Sequence, residues 1–158
     1  MTGIRRADRW WRRLLPRRGG RESLDPGRPD LIVVAASFDD AEACSEALLR
    51  PVGGAPLPDP AREAVLRHRL ELPAAAVPGV IAVAAQEDYR PLEPIPEPVA
   101  GMVALALQRV QLVDALHCSQ ERSRMVGLAQ RNDGNCLGWE VLQPLSLQPG
   151  ADSLRKES

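Results

Sequence analysis

The sequence predicts an α+β fold in which strands and helices follow the order βαββαβ, with one further strand-helix unit ahead of them. Three stretches carry that prediction. In AVLRHRLEL (64–72), Leu66, His68, Leu70 and Leu72 alternate with Arg67, Arg69 and Glu71, the two-residue period of a strand with one buried face. In AAAVPGVIAVAAQEDY (74–89), Val77, Val80, Ile81, Ala84 and Tyr89 fall on one helical stripe, and Pro78 is tolerated in a first turn. From Ser119 to Leu142 the chain reads as helix, tight turn and strand. Ser119 serves there as a candidate N-cap, Met125, Leu128 and Ala129 form the apolar stripe, and Arg131 to Gly134 supply the stop. Leu137, Trp139 and Val141 then alternate with Cys136, Gly138 and Glu140.

The remaining elements fit around these. Leu31 to Ala36 is a short apolar run of buried-strand type, and Ser37 to Asp40 offer caps for a helix from Ala41 to about Leu49. Prolines at 51, 56, 58 and 60 make the next segment an extended loop. In RPLEPIPEP (90–98), Pro94, Pro96 and Pro98 remove ladder donors, so the stretch fits a sheet edge or a polyproline-like connection. Val99 to Val110 reads as a central strand, its Ala104 and Ala106 small enough for a helix to rest on. Asp114 or Ser119 starts the final helix. The resulting order is the split-βαβ or ferredoxin-like sandwich, whose spatial order 4-1-3-2 would centre 64–72 and 99–110 and leave the proline-rich strand at an edge. A second frame starts the repeat at 31–50 and makes 74–89 an insertion; the first leaves no ordered segment unused.

Composition sets the organisation. The 158 residues, 44% hydrophobic and 26% charged, suffice for one ordinary domain with tails. Aromatics are 3%, so Ala, Val, Leu and Ile must build the core. Residues 1–29 form a basic amphipathic segment plus linker, 30–60 the added unit and proline-rich loop, 61–146 the ferredoxin-like domain, and 147–158 a tail. The net charge of −1 conceals a division: nine Arg against three acids give +6 over residues 1–29, leaving −7 for residues 30–158.

Residues 4–15 separate on a helical wheel. Ile4, Ala7, Trp10, Trp11, Leu14 and Leu15 share one side, and Arg5, Arg6, Arg9, Arg12 and Arg13 the other. Such a segment can lie on an anionic membrane surface, dock on an acidic partner or RNA, act as a transit peptide, or remain a solvated tail. No window reaches the ~20 apolar residues that span a bilayer, so the expected location is the cytoplasm, peripheral at the inner face of the membrane.

The sequence is similar to the RraB family of ribonuclease E inhibitors in two patterns. One is His68-Arg69-Leu70 followed by a helix ending at Asp88-Tyr89; the other is Leu128-Ala129 leading to Gly138-Trp139, the whole covering residues 64–146. The resemblance implies a ferredoxin-like fold without a catalytic site, acting by binding an endoribonuclease and lowering its activity. The chain departs from that family in lacking a strongly acidic C-terminal tail and in carrying the added unit and the basic N-terminal segment.

The residues themselves also favour a binding module. They contain no Gly-rich phosphate loop, no G-x-S-x-G and no metal-ligand spacing, and Cys44, Cys118 and Cys136 suit buried thiols in a reducing compartment. No cofactor or metal is expected, and no direct nucleic-acid site within 30–158. The candidate partner-binding residues are Trp139, Gly138, Tyr89 and His68. Trp139 is either a strand anchor or a partly exposed contact residue; His68 is more simply a hydrogen-bonded core histidine than a ligand. A small-molecule sensor of ferredoxin-like fold, tethered at the membrane surface, is the alternative class.

Overall fold

Alternation along 63–73 places large aliphatic groups on one face of a strand and long polar ones on the other, and the rest of the sheet assembles on that strand. In the computed structural model, which describes residues 23–145, five strands form one antiparallel sheet. They are β1 (Leu31–Ser37), β2 (Glu63–Pro73), β3 (Arg90–Pro91), β4 (Met102–Leu112) and β5 (Asn135–Pro144), in the spatial order β1-β5-β2-β4-β3. The helices are α1 (Cys44–Ala47), α2 (Val77–Ala85) and α3 (Ala115–Gln130), with a 3-10 turn at Ala74–Ala76 leading into α2. The fold is therefore α+β. The basic segment 4–15 and the tail 147–158 lie outside the described residues.

The added strand belongs to the main sheet. β1 pairs with β5 from Leu31↔Pro144 to Ser37↔Trp139 and forms the edge beside it. The proline-rich stretch forms the other edge, reduced to Arg90 and Pro91 opposite Gln108 and Leu107 of β4. Prolines at 94, 96 and 98 cannot extend that ladder.

Leu66, His68, Leu70 and Leu72 all face the helices. Leu70 and Leu72 pack with Val80 and Ala84 of α2 and with Met125 and Leu128 of α3. Leu66 packs with Cys44 and Ala47 of α1, Cys118 of α3 and Trp139. Three helices thus cover one face of the sheet. On the opposite face Arg67 donates to Gln108 at 3.1 Å, and Arg67 and Arg69 reach Glu140 at 3.5 and 3.3 Å.

Four local expectations are corrected. The helix expected over 41–49 is one turn, Cys44–Ala47, because an Asx turn at Asp39 takes up the backbone N–H of Ala41 and Glu42 bonds to the Asp39 carbonyl. Of the two starts expected for the final helix, Asp114 is the N-cap of α3, its carboxylate accepting from the His117 N–H at 2.8 Å, and Ser119 lies inside the helix. The helices rest on Val103, Leu105 and Leu107 of β4, whereas Ala104 and Ala106 occupy the other face. Leu137 is 43% exposed, because a register shift opposite Arg69 and Leu70 takes it out of the alternation that buries Trp139 and Val141.

Two glycines mark where backbones meet. A Cβ on Gly138 would enter the Phe38 ring and the Ser37 carbonyl, and one on Gly134 would enter the Glu71 carbonyl, whereas the same atom on Gly79 within α2 meets open space. Gly138→Ala should therefore lower stability by about 2 to 3 kcal/mol. Gly79→Ala should raise it by about 0.5 to 1 kcal/mol through helix propensity. Urea unfolding of the two variants checks the opposite signs.

Candidate functional site

A carboxylate at a core position organises the most polar part of the interior. Glu121 follows the α3 stripe, one step before Met125 and Leu128, and its residue is 6% exposed. A buried carboxylate is costly unless charged or hydrogen-bonding groups meet it. Three do. The Tyr89 hydroxyl donates to Oε2 at 2.7 Å, Arg109 of β4 stands 3.1 Å from Oε1, and Arg124, one turn along α3, stands 3.2 Å from the same oxygen.

Tyr89 is placed there by the way α2 ends. Asp88 takes a left-handed conformation at φ 64°, and the Tyr89 N–H then returns to the Ala84 carbonyl at 3.1 Å, the closing bond of a Schellman-type cap. This turns the tyrosine ring under the sheet, where Arg109 lies over it with its guanidinium carbon 4.7 Å from the ring centroid. Arg109 also donates to the Glu87 carbonyl at 2.9 Å, and Arg124 reaches the Glu87 carboxylate at 3.2 Å. The network therefore runs from a fully buried tyrosine out to a surface ion pair.

His68 closes its inner end. Its Nε2 lies 3.4 Å from the Tyr89 oxygen, with the rings edge to face at 5.8 Å. Since Tyr89 donates its one proton to Glu121, its oxygen accepts from His68, which assigns the Nε2–H tautomer. Burial, opposed by Glu121 and reinforced by Arg109, pulls the imidazole pKa down to about 4. Burial, with the Glu121 hydrogen bond and charge, pushes the Tyr89 phenol above its ordinary range. Both groups are therefore neutral near pH 7. His68 Nδ1 and Trp139 Nε1, on residues directly opposite in the β2/β5 register, have no hydrogen-bond partner among the described residues.

The four residues singled out as partner-binding divide between two parts of the fold: His68 and Tyr89 join the Glu121 network, whereas Trp139 and the half-buried Gly138 belong to the β1/β5 side. His68, Tyr89 and Trp139 are each 1% exposed or less, and Gly138 lies under Phe38. Trp139 is consequently not a partly exposed contact residue; it packs with Leu66, Val141 and Cys118. Its ring and Gly138 shape the β1/β5 side of the core. Sequence reasoning missed Glu121, Arg109 and Arg124. The available signal was an acid on the Cys118, Met125, Leu128 stripe, a position that demands a buried partner.

A different feature lies along the outer side of α3. A cleft of about 720 Å³ is lined by Phe38, Asp40, Arg122, Val126, Cys136 and Leu137, among others. A shallower hollow of about 480 Å³ adjoins it, between Ala41 to Ser45 and the α3 residues Leu116 and Ser119. Arg122 separates the two and fastens the 39–42 turn to α3, donating to the carbonyls of Glu42 at 2.7 Å and Asp39 at 3.1 Å. Glu42 is itself gripped by Arg50 through two bonds of 2.9 and 2.7 Å, which hold its pKa down to about 2.

Among the described residues, no group of three or more His, Cys, Asp or Glu is placed to hold a metal ion, and no helix is long and apolar enough to cross a membrane. No protein-family model, curated protein or solved structure matches the chain.

The network makes two expectations measurable. Glu121→Ala removes the acceptor of the Tyr89 hydroxyl and the carboxylate paired with Arg109 and Arg124, and should cost about 3 kcal/mol or more, against about 1 to 2 kcal/mol for Tyr89→Phe; denaturant unfolding separates them. His68 carries a folded pKa below its unfolded value near 6.5, so the unfolded chain binds more protons in between. Its contribution is complete above pH 6.5 and is lost as pH falls, approaching about 3 kcal/mol by pH 4. In His68→Leu the fall between pH 7 and 4.5 should be shallower, as read from unfolding at each pH.

Proposed function

We propose that this chain is a non-catalytic protein-binding regulator of ferredoxin-like topology, acting on an Arg-rich endoribonuclease in the manner of the RraB-like inhibitors it resembles. The topology is supported by the strand order: without β1, the sequence β5-β2-β4-β3 corresponds to the 4-1-3-2 order of a βαββαβ repeat. The observation that carries the function is the contrast between interior and surface. Glu121, Tyr89, His68 and Arg109 are engaged with one another around a buried carboxylate, whereas Asp39, Asp40 and Glu46 stand exposed near a cleft that also presents Phe38 and Leu137. An acidic surface with apolar contacts favours an Arg-rich protein and disfavours a phosphate backbone. In this reading the regulator works in the cytoplasm.

The full-length chain, immobilised, should retain an endoribonuclease from a lysate of its own cells. Added in excess to that purified enzyme, it should slow RNA cleavage severalfold; an unchanged cleavage rate at saturating chain overturns the proposal.

The volume of the α3 cleft favours a second reading, a small-molecule-sensing module, because about 720 Å³ lies within the range of metabolite sites. A ligand-dependent rise in melting temperature across a metabolite set would support it, and no rise in any class would count against it.

A further inference from the structure

The two hollows beside α3 meet at Asp40 and Arg122, and together they make a groove of mixed polar and apolar lining flanked by acidic residues. Phe38, Leu116 and Leu137, all of which line it, are 57%, 63% and 43% exposed. Asp40, with 93% of its side chain exposed, lines both hollows, and Asp39 and Glu46 stand exposed on the same 38–46 segment, while Glu42 is paired with Arg50. The cation inside the groove, Arg122, is engaged with the backbone carbonyls of that same segment. What the surface lacks is a basic, amphipathic occupant.

We propose that this groove is the docking site of the chain's own residues 4–15. Three observations fix that choice of occupant. The first is charge: five arginines and Asp8 give residues 4–15 a net +4, and Asp39, Asp40 and Glu46 stand exposed along the 38–46 segment. The second is shape. Trp10, Trp11, Leu14 and Leu15 supply apolar groups at helical spacing. Twelve residues as a helix extend about 18 Å, close to the roughly 21 Å from Leu116 to Gln130 along α3.

The third is where the described chain begins. Ser23 donates to the Glu63 carboxylate at 3.2 Å, and Glu63 is opposite Leu112, four residues before Leu116. The first described residue therefore sits at the end of the sheet where α3 and its groove start. The seven residues from 16 to 22 reach roughly 24 Å when extended, which is the span available to residue 15 from Ser23. This inference goes beyond the proposed function, since it holds whether or not the external partner is a ribonuclease. It also makes that partner a competitor: an Arg-rich segment of another protein would have to displace residues 4–15 first.

Hydrogen exchange on the full-length chain tests it. Residues 4–15 and 38–46 should exchange about tenfold more slowly in the natural protein than in a variant combining Trp10→Ser, Trp11→Ser and Leu14→Ser. A second variant, Asp40→Lys with Glu46→Lys, should lose the same protection from the other side. Unchanged exchange in β2 and β4 shows that both variants remain folded. Equal exchange in all three proteins overturns the proposal. Protection that grows with protein concentration overturns it in favour of a second copy's segment, and protection of 4–15 that arises only on phosphatidylglycerol vesicles overturns it in favour of the membrane surface.

Discussion

The burial of one carboxylate constrains most of the helical layer. Glu121 is carried into the core by the register of α3, and its charge is tolerable there because Tyr89, Arg109 and Arg124 meet both oxygens. These partners come from the residue after α2, from β4 and from α3 itself. Satisfying Glu121 therefore fixes the end of one helix, the rotation of the other and their height above the sheet at once. An aliphatic residue at the same position would pack, but it would not dictate which neighbours approach.

The cap that delivers Tyr89 has a counterpart in the second half of the fold. After α3, Asp133 adopts φ 58° and the Gly134 N–H returns to the Ala129 carbonyl at 2.9 Å, as Asp88 and Tyr89 do after α2. Both α2 and α3 thus leave through an aspartate in the left-handed region. The residues that follow differ with their surroundings. Tyr89 turns inward to Glu121, while Gly134 passes so close to the Glu71 carbonyl that a side chain cannot be accommodated.

Much of the sheet was legible in the sequence because its signals are local. The alternation of Leu66, His68, Leu70 and Leu72 and the prolines at 94, 96 and 98 determine a face and an edge without reference to any other segment. The errors arise where tertiary context decides. Leu137 has the spacing of a buried residue, but it is the extra residue of a bulge in its own strand, skipped between the pairings of Gly138 with Arg69 and Cys136 with Leu70, and is exposed. The wall of the α3 groove could not be foreseen, since Phe38 and Leu137 come together only when β1 lies beside β5. The buried network was half visible: His68 and Tyr89 stood out by residue type, whereas Glu121 read as an ordinary helix acid.

The contact between Phe38 and Gly138 has a bearing on how this sheet survives at high concentration. β1 pairs with β5 only from Trp139 to Pro144, so the backbone of 135–138 has no strand beside it on that flank. Bare strand backbone is a template on which another chain can add itself. Here the aromatic ring, seated on a residue with no side chain to repel it, covers the Gly138 end of that backbone. A side chain at 138 would lift the ring off this flank, so the glycine's packing role extends to the open edge of β5.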